Sequence, residues 1–158
     1  MTISRIDHVG VTVSDMDRAL AFYRDLLGLR VIADATVAGP EVAELLGLEV
    51  PVQLRIADLD SGDGRIVELL QYLQPRGRRI AYESSDVATA HIAFTVDDLA
   101  AVRERLSNAG ATIVSHRPIT ISEPGGSFDG AICLYVRDPD GAILELVQRR
   151  AGKSPLNR

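Results

Sequence analysis

Asp7-His8-Val9-Gly10-Val11-Thr12-Val13-Ser14-Asp15 decides how the fold of this chain is read, because Ala90-His91-Ile92-Ala93-Phe94-Thr95-Val96-Asp97-Asp98 states the same pattern again. Each stretch runs from a histidine through alternating apolar positions to Thr-Val and an aspartate. The alternation over Ile6 to Val13 predicts a half-buried strand, with Val9, Val11 and Val13 on one face and His8, Gly10 and Thr12 on the other. Ser14 or Asp15 then offers a side-chain oxygen to cap a helix. Met16, Ala19, Leu20, Tyr23, Leu26 and Leu27 follow at helical spacing, and Gly28 supplies the left-handed stop. In the second copy Asp97 or Asp98 caps a helix carrying Leu99, Val102, Leu106 and Ala109, ended by Gly110.

A second echo follows each helix. Gly64-Arg65-Ile66-Val67-Glu68-Leu69-Leu70-Gln71 returns as Gly141-Ala142-Ile143-Leu144-Glu145-Leu146-Val147-Gln148, so each copy opens on a histidine and closes on a glutamate. Between these landmarks, strands are predicted over Leu29 to Ala35, Val52 to Leu59 and Arg65 to Leu73, and again over Thr112 to Ser115, Ala131 to Val136 and Ala142 to Gln148. The order strand, helix, three strands occurs twice. The chain therefore reads as one domain over 1–150, made of a module at about 4–74, a polar connector at 75–88 and a second module at about 89–149. Residues 151–158 lack periodicity and read as a flexible tail. Thr36 to Pro51, broken by Gly39-Pro40 and Gly47, is a candidate lid with one short helix. Two copies of one supersecondary unit imply paired sheets about a pseudo-twofold axis, which would bring His8 toward His91 and Glu68 toward Glu145.

The bulk properties narrow the partners. With 158 residues, 46% of them hydrophobic, the chain can bury a real core. A net charge of -5 argues against nucleic acid, since phosphate neutralisation needs a basic face. No apolar run is long enough for a membrane span and no signal peptide pattern precedes the first strand, so a cytoplasmic protein acting on a small molecule is expected. The single cysteine, Cys133, is consistent with a reducing compartment.

Glu68 and Glu145 each sit between apolar neighbours in a strand that otherwise reads as buried. An unpaired carboxylate there would cost several kcal/mol, so it must be neutralised, exposed or bound to a cation. Glutamate on the solvent face of an amphipathic strand is the simpler reading of either residue alone. The repeat changes this, because nothing in a βαβββ pattern demands an ionisable residue at the same two places twice. His8, Glu68, His91 and Glu145 are accordingly the candidate ligands of one divalent ion, and their nitrogen and oxygen donors suit Zn, Ni, Co, Mn or Fe(II). Such an ion would polarise a substrate carbonyl, with Glu145, or failing it Glu68, taking the adjacent proton to give an enolate. Tyr135 shares a strand face with Cys133 and is a candidate to hydrogen-bond substrate. Cys133 itself reads as a small inert hydrophobe. Arg76, Arg78, Arg79 and His116 receive no role.

At these residues the sequence resembles the vicinal oxygen chelate superfamily, which includes glyoxalase I, methylmalonyl-CoA epimerase, extradiol dioxygenases and the bleomycin and fosfomycin resistance proteins. The resemblance rests on Asp7-His8-Val9-Gly10-Val11, on Asp15 through Tyr23 to Leu27-Gly28, on His91-Ile92-Ala93-Phe94 with Val96-Asp97-Asp98, and on Asp138-Pro139-Asp140-Gly141 through Glu145-Leu146. It implies an α+β fold of two tandem βαβββ modules, each an open, curved mixed sheet forming half a barrel around the metal. It also implies that the ligand set falls on His8, Glu68, His91 and Glu145, and that the protein is a homodimer. Glyoxalase I and methylmalonyl-CoA epimerase are the nearest types, which implies a metal-dependent lyase, isomerase or epimerase acting on a small carbonyl or thioester. Glu49 lies near the place of the epimerase's second carboxylate. Thr12 lies in the stretch where glyoxalase I carries a glutathione-binding arginine. Two other readings stay open: a ring-cleaving extradiol dioxygenase, whose two-histidine, one-carboxylate triad Glu68 would crowd, and a small-molecule or antibiotic-binding resistance protein without catalysis.

Overall fold

Asp15 and Asp98 start the two main helices in the same way. Each has extended backbone, and each side chain accepts a hydrogen bond from the amide three residues on, Arg18 N at 2.9 Å and Ala101 N at 3.0 Å. The computed structural model describes residues 2–150, so the expected tail at 151–158 lies outside the described residues. The chain divides into two compact units, Met1–Ile80 and Ala81–Arg158. Among the described residues no helix is long and apolar enough to cross a membrane.

The first unit runs β1 (His8–Thr12), α1 (Met16–Leu20, continued by a π-helical stretch Ala21–Leu26), β2 (Arg30–Ala38), α2 (Pro40–Leu45), β3 (Gln53–Asp60) and β4 (Ile66–Gln74). Its sheet has the order β1-β4-β3-β2, with β1 parallel to β4 and the remaining pairs antiparallel. The second unit runs β5 (His91–Thr95), α3 (Leu99–Asn108), β6 (Thr112–Ile113), β7 (Ile119–Thr120), β8 (Ile132–Arg137) and β9 (Ile143–Gln148). Here the order is β5-β9-β8-β6, β7 also pairs with β8, and β5 is parallel to β9. Both are open mixed sheets, so the α+β class and the duplicated topology expected from the sequence are present.

In the first unit, Val11 and Val13 are buried, as are Met16, Ala19, Leu20, Phe22 and Tyr23 from the helix and Val67 and Leu69 from β4. The sequence pattern omits Phe22 from this stripe. The reason is the π-helical stretch, whose wider turn shifts the facing positions and brings Phe22 and Tyr23 inward together, ring edge to ring face at 5.3 Å. Leu26 and Leu27 are only half-buried in consequence. Gly28, at φ 85°, then reverses the chain as expected. Two further departures concern strands. β2 extends through Thr36, Val37 and Ala38, which pair with Arg55, Leu54 and Gln53, so the first part of the candidate lid is an edge strand. The pair Ile119–Thr120 forms a strand too short to leave a periodic signal.

Each unit also ties its strand to its helix with the glutamine that closes the second echo. Gln71 Oε1 accepts from Met16 N at 3.1 Å, and Gln148 Oε1 accepts from Leu99 N at 2.8 Å, so both side chains satisfy the first free amide of a helix. Gln71 Nε2 also donates to Ser14 O. Gln71→Ala and Gln148→Ala are each expected to lower stability by about 1–2 kcal/mol, because a part-buried amide loses its acceptor. Denaturant melts check this, and the loss should be mirrored at the two positions.

Aspartates hold the hairpin turns that aim the glutamate strands. Asp138 is buried and accepts from Asp140 N and Ala142 N, while Asp60 accepts from Gly62 N and Gly64 N. The Gly62 amide, aided by Arg30, holds the Asp60 carboxyl below its ordinary value of 3.8; Arg55 does the same for Asp34. A carboxyl lowered by folding contributes stability above the unfolded value, and that contribution is lost as pH falls through the lowered value. The melting temperature should therefore drop as pH falls below 3.8. Asp60→Asn should cost stability at pH 6 and progressively less in acid.

Candidate metal centre

The parallel pairing of first and last strand gives each unit the same local geometry. His8 pairs with Ile66 and Gly10 with Glu68; His91 pairs with Ile143 and Ala93 with Glu145. In both units the glutamate thus lies diagonally across from the histidine on one face of the sheet. His8 Nε2 is 3.7 Å from Glu68 Oε2, and His91 Nε2 is 3.3 Å from Glu145 Oε2. Gly10 keeps the first of these faces open: a Cβ there would press on Leu70 Cδ1 at 3.1 Å and touch Glu68 Oε2 at 3.9 Å.

Burial separates the partners within each pair. The histidines are nearly half exposed, at 46% and 44%, whereas Glu68 and Glu145 are at 20% and 12%. The carboxylates are held in place and the imidazoles stand at the accessible edge. Asp7 Oδ1 lies 3.1 Å from His8 Nδ1, and the Asp7 carboxylate, followed by Glu68, holds the His8 imidazole above its ordinary 6.5. A carboxylate on Nδ1 also leaves Nε2 as the nitrogen turned toward Glu68, an arrangement common to metal-binding histidines. Within either unit, among the described residues, no third His, Cys, Asp or Glu completes a cluster able to hold an ion alone.

These donors suit a divalent ion. With bonds of about 2.0–2.2 Å, neighbouring ligand atoms on one ion stand about 3 Å apart in an octahedron and slightly more in a tetrahedron. The His91–Glu145 separation of 3.3 Å is close to that edge length, and the His8–Glu68 separation of 3.7 Å is longer than it.

The surroundings of the two pairs differ. Tyr135 pairs directly with Glu145, and its ring lies 5.4 Å from that of His91. Burial, then the Glu145 charge, pushes the phenol up, so Tyr135 is a neutral donor at physiological pH. Burial and Glu145 likewise push the Cys133 thiol up to about 12, which keeps it the inert side chain its sequence context suggests. In the first unit the position opposite Glu68 is filled by Asp58. This half-buried carboxylate was absent from the sequence reading; matching β3 to β8 as well as the outer strands would have aligned it with Tyr135.

Thr12 lies on the His8 face of β1, two residues beyond the position opposite Glu68, whereas Glu49 is placed elsewhere in the unit. Thr12 is exposed at the far end of β1, opposite Leu70. Glu49 lines an open cleft of about 710 Å³ with Glu44, Leu48, Val50, Gln53 and Gln74 among others. That cleft is at the Gln74 end of β4, six residues or about 20 Å along the strand from Glu68. His116, Arg76 and Arg78 are exposed.

Comparison with known proteins matches residues 5–146 to the model of the glyoxalase/bleomycin resistance protein/dioxygenase superfamily. The chain belongs to that superfamily. Among superfamily members, a 2-epi-5-epi-valiolone epimerase from Actinomyces sp is 32% identical over 151 residues, covering 93% of this chain and 80% of the relative. A lactoylglutathione lyase from Haemophilus influenzae is 28% identical over 153 residues, covering 96% and 98%. In structure, a glyoxalase family protein from Bacillus cereus superposes with a TM-score of 0.77 at 24% identity, covering 94% of this chain and 95% of that one, which is a likeness of fold. Relatives named as lyases and epimerases support a glyoxalase or epimerase type of role for this superfamily member.

Proposed function

We propose that this protein is a metal-dependent lyase, isomerase or epimerase that removes the proton beside the carbonyl of a small ketone, aldehyde adduct or thioester. The observation that carries the reading is the duplicated His–Glu pair, set by the same strand register in both units. His8, Glu68, His91 and Glu145 would together hold one divalent ion of the Zn, Ni, Co, Mn or Fe(II) group, with the modules combining within one chain or across a homodimer. When bound, the ion supplies Lewis-acid polarisation of the substrate carbonyl. Glu145 then takes the proton from the adjacent carbon, while the neutral Tyr135 phenol beside it donates a hydrogen bond to a substrate oxygen. Glu68 is the second candidate base. Thr12 and Glu49, both in the first unit, are assigned to peripheral substrate contact. The names of the relatives, lactoylglutathione lyase and epimerase, support this class. A cytoplasmic location belongs to the same reading.

Proton exchange tests it. The metal-loaded protein, incubated in deuterated water with a panel of acyl-CoA thioesters, cyclic ketones and 2-oxoaldehyde–thiol adducts, should incorporate deuterium beside the carbonyl of at least one class. Absence of metal-dependent exchange across all three classes would contradict the proposal.

A further inference from the structure

From Val31 to Leu54 the chain carries four acids, Asp34, Glu41, Glu44 and Glu49, and no lysine, arginine or histidine. Folding neutralises the first of them, which forms an ion pair with Arg55. The carboxylates of Glu44 and Glu49 have no ion-pair or hydrogen-bond partner among the described residues, and both line the open cleft of about 710 Å³ beside α2. No cationic side chain lines the cleft with them, and Arg76, two residues beyond Gln74, forms no ion pair with either. Much of the remaining wall is apolar, with Pro40, Leu48, Val50 and Pro51.

The repeated fold does not require this cleft. α2 buries none of its residues, and in the second unit the chain between the matching strands, β6 and β8, forms β7 instead of a helix. An open apolar surface of this size, bordered by a few polar groups, has the form of a small-molecule site. Its lining discriminates among ligands. Two uncompensated carboxylates repel an anion. A wholly apolar ligand would strip water from them with nothing in exchange. A bare divalent ion needs more oxygen ligands than two, and among the described residues no three ligating side chains gather there. An organic cation matches both the charge and the walls. The cleft has no aromatic ring to receive a quaternary ammonium, whereas Gln53 and Gln74 add amide oxygens to the carboxylates as acceptors for N–H groups.

We infer that this cleft binds a primary ammonium carried on an apolar chain or ring, with its N–H groups donated to Glu44 and Glu49 and its hydrocarbon laid against Leu48, Val50 and Pro51. Hydrogen bonds from an ammonium to a carboxylate are about twice as strong as those between neutral groups, so the charge decides the preference. The cleft stands about 20 Å along β4 from Glu68, so its occupancy can be read without metal. The inference concerns the group that meets Glu49, and it rests on the proposed function only in counting that group as part of the substrate.

The test compares 4-phenylbutylammonium with 4-phenyl-1-butanol, 4-phenylbutyrate and the N,N,N-trimethylated cation, which share one apolar body and differ at the end. Binding to the full chain is followed by proton–nitrogen NMR at the amides of Glu44, Leu48 and Val50, with and without zinc. The wild-type protein should bind the primary ammonium about tenfold more tightly than the alcohol, the effect of one charge-assisted pair, and the carboxylate more weakly than either. Added salt should narrow the gap. The double substitution Glu44→Gln, Glu49→Gln should erase the preference and leave binding of the alcohol unchanged. Failure of the folded wild type to prefer the ammonium, including failure to bind either compound, overturns the inference. So does a preference that survives the double substitution, or equal binding of the trimethylated cation. Zinc uptake is measured in the same samples. An ammonium preference in protein that takes up no metal would leave the cleft assigned and sink the metal-centre reading, and metal uptake without the preference would do the reverse.

Discussion

Glu145→Gln is expected to slow proton exchange beside the substrate carbonyl by about 10²–10⁴-fold at saturating metal, the range that loss of a positioned base produces. Glutamine keeps an oxygen that can ligate but cannot accept the proton. Glu68→Gln should show its main effect elsewhere, because the two carboxylates stand in different company. Glu68 faces Asp58, so a second carboxylate adds negative charge to the face that carries His8. Glu145 faces the phenol of Tyr135 and the thiol of Cys133, neither of which carries charge. Glu68→Gln should therefore raise the metal concentration needed for half-maximal exchange, with a smaller fall in the rate at saturation. Exchange rates measured over a metal titration for both variants separate these effects. A Glu145→Gln protein that exchanges at the wild-type rate would remove Glu145 from the role of base.

His8→Ala and His91→Ala should each weaken divalent metal binding by more than about 100-fold, since loss of a direct ligand exceeds the 10–100-fold typical of losing an outer partner. The expectation is the same size for both because register and partner are duplicated. Both histidines are nearly half exposed, so neither substitution opens a core cavity and the fold should survive. Competition with a chelator of known affinity measures the change. If one substitution abolished binding and the other left it untouched, the ion would belong to one pair rather than to both.

How much of this was legible in the sequence depended on repetition. The histidine strands, the glutamate strands, the helix caps at Asp15 and Asp98 and the stop at Gly28 each carried a local signal, and the structure has them in the expected order. Phe22 was missed because a π-helical stretch changes the period on which the pattern depends. The last three residues of β2 were hidden because an exposed edge strand has little need for apolar alternation. Asp58 escaped for a different reason: it occupies a repeated position with an unrepeated residue, and only the register of β3 against β4 shows that it faces Glu68.

If two His–Glu pairs, one per module, serve one ion, the number of cobalt ions bound per chain is fixed. Titration of the metal-free protein with Co(II), followed by its visible absorption, should saturate at one equivalent per chain, and His8→Ala and His91→Ala should each abolish that signal. Two equivalents per chain, no binding, or a full signal that survives either substitution would show that the two pairs do not share an ion.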